Sequence, residues 1–221
     1  MNDCQAITLT GSTASVQYLC GADPRLADLI KEVGELAYTP EGDPFVSLAD
    51  TVVGQMLSNK VAEVLAARLH TLCGSHVSPA VMAGLGFDAL RSIGLSKTKT
   101  ACLLDLAGRA IRKELDFDAF REMPDDAIIQ ELTSIKGIGP WTAKMYLIFV
   151  LDRQDVLPFE DGAFLQSYRW AYNAPGCTAK EIVANCAKWR PYSSIAARYL
   201  YRALDEGVVN KTFLGLARNV W

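Results

Sequence analysis

Residues 132–161 read LTSIKGIGPWTAKMYLIFVLDRQDVLPFED, and this stretch predicts two helices joined by a very tight turn. Gly137 and Gly139 have no Cβ, so the backbone between them can take conformations barred to other residues and can approach a ligand closely. The second helix would begin after Gly139, where unpaired N–H groups and the helix dipole favour a phosphate. The loop after that helix ends in Asp161, which would bring a carboxylate back toward the turn.

The two most informative features of this stretch also have simpler interpretations. A Gly-x-Gly sequence before a helix is often an ordinary turn between two helices, because glycine is frequent in turns. Asp161 alone is suited to be the N-cap of a helix over residues 162–172, where its carboxylate would accept a main-chain N–H. The combination of the glycine turn, Trp141 and Asp161 favours a functional site.

The chain as a whole predicts an all-α fold. With 221 residues, half of them apolar, it can bury the core of one large domain or of two small lobes. Apolar residues recur at helical spacing along most of its length. The predicted helices cover residues 24–37, 44–58, 61–73, 97–115, 124–134, 164–172, 178–189 and 193–206, with short helices near 79–82 and 88–92. Residues 1–20 allow short strands, and Gly207 is expected to end the last helix.

These helices are expected to form two lobes packed as one unit over residues 1–221. Lobe A would cover residues 44–152 and contain the hairpin 135–139. Lobe B would combine residues 1–43 with 153–221. Because Asp161 falls where the chain crosses between the lobes, we expect an active-site cleft between them.

The charge of the chain does not by itself indicate a nucleic-acid partner. The formal net charge is −3, whereas neutralisation of phosphates usually leaves a basic signature. Residues 91–113 nevertheless hold six basic side chains and one acidic one, and this segment could face DNA while the acidic N-terminal part faces away. Ordinary solvated helix faces are the alternative explanation of both clusters.

The N-terminus and the cysteines bear on the compartment. No basic-then-apolar signal pattern opens the chain, and no apolar run approaches the length of a membrane span. The six cysteines include no C-x-x-C pair, and free thiols are typical of a reducing compartment. We therefore expect a cytoplasmic protein with no membrane partner. We also expect it to be a monomer.

The segment IKGIGPWTA, residues 135–143, resembles the hairpin of the helix-hairpin-helix DNA glycosylases, and is most similar to their 3-methyladenine DNA glycosylase II branch. That family is named for this hairpin and for a loop that ends in a catalytic Asp. The separation of Trp141 and Asp161 matches the spacing of the branch, and the resemblance extends from about Phe45 to about Tyr201.

The resemblance implies a monofunctional alkylpurine-DNA glycosylase, a base-excision-repair hydrolase that leaves an abasic site in double-stranded DNA containing alkylated bases. Asp161 would be its catalytic carboxylate, expected to stay ionised at a helix start. In relatives that also nick the strand, a lysine stands at the hairpin position of Trp141 and forms a Schiff base with the sugar. Tryptophan cannot do so, and lyase activity is therefore not expected.

The resemblance also assigns residues that would contact the flipped nucleotide. Trp141, Met145 and Tyr201 would line the base pocket, and Met56 would intercalate in the gap that the nucleotide leaves. Trp141 has plain core packing as its alternative, and a Met at helical spacing is more often a core residue. Met145 replaces an aromatic residue of better-known members, so one wall of the pocket would be missing or supplied by Tyr146.

Gly137, Gly139 and Thr142 would bind a DNA phosphate. The same resemblance implies a monovalent cation, Na⁺ or K⁺, at the main-chain carbonyls of Thr133, Ile135 and Gly137, and it implies that no cofactor is required. Several members of the superfamily hold an iron–sulfur cluster near the C-terminus with four closely spaced cysteines. Only Cys177 and Cys186 lie in that part of this chain, so no cluster is expected.

Two other functions remain open at this point. The protein could remove a deaminated or oxidised base, because the residue at Met145 departs from the family pattern. It could also be a non-catalytic binder of DNA structures that uses the hairpin only for phosphates. Matching positions for both Trp141 and Asp161 weaken the second alternative.

Overall fold

The computed structural model describes residues 5–74 and 76–210. The elements in chain order are β1 (Ile7–Leu9), α1 (Ala14–Ala22), α2 (Pro24–Val33), β2 (Leu36–Tyr38), α3 (Pro44–Gly54), α4 (Asn59–Leu72), α5 (Pro79–Ser92), α6 (Lys97–Ile111), α7 (Asp125–Thr133), α8 (Pro140–Phe149), α9 (Gly162–Ala171), α10 (Ala179–Cys186) and α11 (Ser193–Asp205), with 3-10 turns at Ala119–Arg121, Ala187–Trp189 and Val208–Asn210. The mostly helical architecture predicted from the sequence is confirmed.

The described residues divide into two compact units. Residues 41–151 form one, called the middle unit below, with helices α3 to α8. Residues 5–40 and 152–210 form the other, called the terminal unit, with the two strands and the remaining helices. Within the described residues, no helix has both the length and the apolar character needed to span a membrane.

The middle unit is organised around α3, and the sequence explains why that helix begins where it does. Asp43 accepts the Val46 N–H at 3.0 Å as the N-cap, and Pro44 occupies the first helical position, where a missing N–H is harmless. Leu48 and Val52 on the inner face of α3 are completely buried. Helix α3 packs against α4, α6 and α8, which brings the turn after α3 to the hairpin.

The terminal unit joins both ends of the described chain in one core. Strands β1 and β2 pair antiparallel, with Ile7 opposite Tyr38. Helix α11 packs on α2 and α9, and the largest buried side chains there are aromatic, among them Phe164 and Trp189. The N-terminal elements and the C-terminal helices therefore stabilise each other.

Several element boundaries differ from the predicted ones, and glycine or strand pairing accounts for two of the differences. The helix predicted over residues 24–37 ends at Val33, because Gly34 takes φ +76 and the following residues pair with β1. The helix predicted over residues 44–58 ends at Gly54. The two short helices expected near residues 79 and 88 are one element, α5, kinked at Gly86, where φ is +74. Gly207 follows α11 with φ +67, as predicted.

Candidate active site

The predicted hairpin is present between α7 and α8. Its turn is closed by the Ile138 N–H, which donates to the Ile135 carbonyl at 3.0 Å, and both side chains are buried. Gly137 has φ +105, a conformation that residues with a Cβ rarely adopt. A Cβ on Gly137 would also lie 3.0 Å from Cys102 Cβ and 3.1 Å from its Sγ. Glycine at 137 is therefore required by the backbone and by the close packing against α6.

The backbone of Gly139 does not need the conformational freedom that was expected of it. Its backbone is extended, with φ −102 and ψ 176, which any residue can adopt, and a Cβ there would meet no atom within 4 Å. The expectation that Gly139 needs unusual conformational freedom is therefore wrong. Gly139 is the N-cap of α8, with Pro140 in the first helical position and Trp141 on the first turn as predicted. Its missing side chain leaves open space at the start of α8.

Thr142, predicted to contact a phosphate, has a buried side chain. It is 1% exposed, and its hydroxyl accepts a hydrogen bond from Gln55 Nε2 at 2.9 Å. A phosphate contact by Thr142 is therefore limited to its main-chain N–H, which lies in the first turn of α8.

Met56 lies in the turn between α3 and α4, and its side chain is fully exposed. Its φ is +57, in the left-handed region that few residues other than glycine occupy. The alternative interpretation of Met56 as a core residue is therefore wrong. The turn presents an unbranched apolar side chain to solvent, as the predicted intercalation requires.

Asp161 is the N-cap of α9, as its simpler interpretation predicted. Its Oδ1 accepts the Phe164 N–H at 2.7 Å, and the residue is 9% exposed. Tyr201, from α11, has its hydroxyl buried close to this carboxylate. Burial first, and Asp161 second, raise the pKa of Tyr201 well above its usual range. The structure thus brings together two of the predicted site residues, and the neutral phenol adjoins the carboxylate. Glu160 is exposed.

The other two residues predicted to line the base pocket, Trp141 and Met145, lie on α8. Trp141 is half-buried and Met145 is 8% exposed. The prediction that Tyr146 could supply the missing aromatic wall is wrong. Its ring is buried in the core of the middle unit against Phe117 and Phe120, with centroids 6.3 Å and 6.0 Å away.

Known proteins match most of this chain. DNA-3-methyladenine glycosylase 1 of Schizosaccharomyces pombe is 30% identical to it over 206 residues, and the match covers 88% of each protein. This chain belongs to the 3-methyladenine DNA glycosylase family. Among solved structures similar to this chain, DNA-3-methyladenine glycosidase from Bacillus halodurans has a TM-score of 0.80 at 30% identity, covering 91% of this chain and 94% of that one. The S. pombe 3-methyladenine DNA glycosylase in complex with abasic DNA has a TM-score of 0.78 at 27% identity, covering 87% and 97%. No protein-family model matches the sequence.

Most basic side chains of residues 91–113 form hydrogen bonds or ion pairs within the middle unit. Arg91 donates to the Leu95 carbonyl, Arg109 pairs with Asp105, Arg112 pairs with Glu114, and Lys99 donates to the carbonyls of Val53 and Gln55. Lys97 of this segment instead lines a pocket of about 420 Å³, together with Lys136 of the hairpin. The segment is therefore not a uniform DNA-facing stripe.

Gln55 contacts the hairpin, and the sequence assigned it no role. Its Nε2 donates to the Gly137 carbonyl at 3.0 Å and to the Thr142 hydroxyl, partners 82 and 87 residues away in the chain. No local pattern could have revealed contacts between such distant residues.

Among residues 5–74 and 76–210, no three His, Cys, Asp or Glu side chains are grouped to hold a metal ion. Cys4 lies outside the described residues.

Proposed function

We propose that this glycosylase hydrolyses the N-glycosidic bond of alkylated purines in double-stranded DNA and leaves an abasic site without cutting the strand. The observation that carries the proposal is Asp161, which is held at the N-cap of α9 beside the Tyr201 hydroxyl in a chain of this family. The names of its relatives support the alkylated substrate, since the S. pombe protein that it matches is named for 3-methyladenine.

The reaction requires that the damaged nucleotide leave the base stack. Extruding a nucleotide costs a few kcal/mol of stacking and pairing, and a side chain that fills the gap lowers that cost. We assign this role to Met56, because its side chain is fully exposed on a turn and is apolar and unbranched.

Asp161 would then act on the extruded nucleotide. Positive charge develops on the sugar as the bond to the base breaks, and a carboxylate near C1′ stabilises that charge electrostatically. A water adds its oxygen to C1′, and Asp161 orients this water and accepts its proton. The bond from the Phe164 N–H to Oδ1 restricts rotation of the carboxylate, so that the group is already oriented before the nucleotide arrives.

Trp141 supports two parts of the proposal, the alkylated substrate and the absence of strand cleavage. An indole has no amine to form a Schiff base with the sugar, so the enzyme would release the base with water alone. Alkylated purines such as 3-methyladenine and 7-methylguanine are cationic, and stacking on an indole adds a cation–π attraction of about 1–2 kcal/mol when the pair is partly desolvated. Such bases are good leaving groups, which reduces the need for a general acid.

The hairpin would bind the strand through a phosphate at the start of α8. The N–H groups of Trp141 and Thr142 lie in its first turn, and the missing side chain of Gly139 leaves space there. The main-chain carbonyls of Thr133, Ile135 and Gly137 would hold a Na⁺ or K⁺ ion, whose positive charge would attract the phosphate. The donor type fits, since carbonyl oxygens suit hard cations and each carries two lone pairs. One lone pair is already used at Ile135 and at Gly137.

Mass identification of bases freed from methylated duplex DNA tests the proposal. We expect release of 3-methyladenine and 7-methylguanine by the wild-type protein, abasic sites in the DNA, and no strand cleavage until alkali is added. Asp161→Asn serves as the inactive reference. Release of only a deaminated or oxidised base from defined lesion duplexes would replace the substrate class. Binding to abasic DNA with no base released from any lesion would replace the enzyme by a structure-specific binder.

A further inference from the structure

The Gln55 side chain ties the turn that carries Met56 to the hairpin. Gln55 precedes Met56, and its Nε2 donates to the Gly137 carbonyl at 3.0 Å and to the Thr142 hydroxyl at 2.9 Å. Those two acceptors belong to the hairpin turn and to the first turn of α8, the region that would bind the phosphate. A displacement of the hairpin would therefore be felt at Gln55.

Lys99 fixes the other side of the same turn. Its Nζ donates to the Val53 carbonyl at 2.7 Å and to the Gln55 carbonyl at 2.8 Å, which satisfies carbonyl groups at the C-terminal end of α3. Partial burial of the Lys99 ammonium group lowers its pKa. The main chain before Met56 is held by Lys99, and the Gln55 side chain links it to the hairpin.

We propose that Gln55 is a positioning residue that fixes Met56 relative to the hairpin, so that binding of the phosphate and insertion of Met56 occur as one event. This inference rests on the proposed function, because it takes Met56 as the side chain that fills the gap. Two groups held in a fixed relation bind their targets with less loss of conformational entropy than two groups that move independently. Gln55 would therefore contribute mainly to the preference for DNA that contains an abasic site over intact DNA.

A double-mutant cycle tests the coupling. The four proteins are wild type, Gln55→Ala, Met56→Ala and the double variant. Dissociation constants are measured for a duplex with a tetrahydrofuran abasic analogue and for the same duplex without it. The ratio of the two dissociation constants measures the preference for the abasic duplex over the intact one. Loss of overall folding or of general DNA affinity changes both constants and leaves this ratio unaltered.

Gln55→Ala is expected to lower the preference about tenfold when Met56 is present, since two hydrogen bonds are lost. In the Met56→Ala background the same change is expected to alter it by no more than about twofold. An equal loss in both backgrounds would overturn the inference. Thr142→Val removes one of the two acceptors with little change of shape, and a smaller loss is expected. A loss from Thr142→Val that adds in full to that of Gln55→Ala would also contradict the tie.

Gln130→Ala is the matched control, because Gln130 is an exposed glutamine on α7 of the same unit. It is expected to retain the wild-type preference. The binding cycle also separates this inference from the proposed function. A wild-type protein that releases no base but shows coupling would refute the function and keep the role of Gln55. A protein that excises bases but shows additive losses would do the reverse.

Discussion

Two aspartates of the terminal unit occupy the same position in their helices, and we assign them different roles. Asp23 and Asp161 are the N-caps of α2 and α9. Asp23 is 1% exposed, and its Oδ1 accepts two main-chain N–H groups of α2 at 3.1 Å and 3.2 Å. Its Oδ2 accepts the Tyr172 hydroxyl at 2.5 Å and the Trp189 indole N–H at 2.8 Å, and pairs with Lys188 Nζ at 3.1 Å.

The difference shows how a carboxylate becomes structural. The donors to Asp23 Oδ2 come from residues far along the chain, and they tie α2 to the C-terminal part of the terminal unit. Asp161 also caps its helix, and the buried Tyr201 hydroxyl lies beside it. The cap position is thus compatible with either role, and the surrounding donors decide between them.

The largest effect that would separate the two aspartates is on catalysis. Asp161→Asn keeps a residue that caps helices as well as Asp does, so the free energy of unfolding should change by no more than about 0.5 kcal/mol. The loss of the charge should lower the single-turnover rate of 3-methyladenine release on the order of 100- to 1000-fold. Rates measured with saturating enzyme, together with urea unfolding, test both expectations. An Asp161→Asn variant with full activity would remove Asp161 from the mechanism.

Asp23→Ala should produce the converse result. The variant loses the cap of α2 and leaves the Tyr172 hydroxyl and the Trp189 N–H buried without their acceptor. We expect the free energy of unfolding to fall by about 2–4 kcal/mol. The folded fraction should excise bases at the wild-type rate, measured well below the lowered melting temperature. A variant with unchanged stability would show that these donors find other partners, and the comparison of the two aspartates would fail.

The sequence predicted the features that depend on neighbouring residues and missed those that depend on residues far apart in the chain. The hairpin, Trp141 on the first turn of α8 and the cap at Asp161 follow from short-range patterns, and the structure has all three. The ring of Tyr146 packs in the core against Phe117 and Phe120. Its position next to Met145 and its helical spacing do not show whether the ring faces the core or a base pocket. The donors to Asp23 and the ties from Gln55 join residues far apart in the chain, and no pattern within a helix encodes such contacts.

Acid should weaken the protein through Asp23. Burial would raise the pKa of this carboxyl, but hydrogen bonds from Tyr172, Trp189, Lys188 and the Leu26 N–H outweigh burial and hold the pKa below its ordinary value. The unfolded chain, with a pKa of about 3.9, binds a proton first as pH falls. The stabilisation is therefore complete above that pH and is lost as pH falls through the lower folded-state pKa.

Urea unfolding of wild type and Asp23→Asn at pH 6, 4 and 3 measures this contribution. The difference in unfolding free energy between the two proteins should be largest at pH 6 and should shrink toward pH 3. Comparing the two proteins removes the contributions of the other carboxyl groups, since both carry them. A difference that stays constant over this range would mean that Asp23 has the same pKa in the folded and unfolded states.

The two tyrosines give the smallest and most selective contrast. Tyr172→Phe removes a donor to Asp23 and should cost about 1–2 kcal/mol of stability with no change in the excision rate. Tyr201→Phe removes the hydroxyl beside Asp161 and should slow excision about fivefold, which corresponds to about 1 kcal/mol in the barrier. Each variant is the control for the other, because both lose one buried phenol oxygen from the same unit. Equal losses of stability with equal rates would show that Tyr201 serves packing alone, and that the surroundings of Asp161 resemble those of Asp23 more closely than their donors indicate.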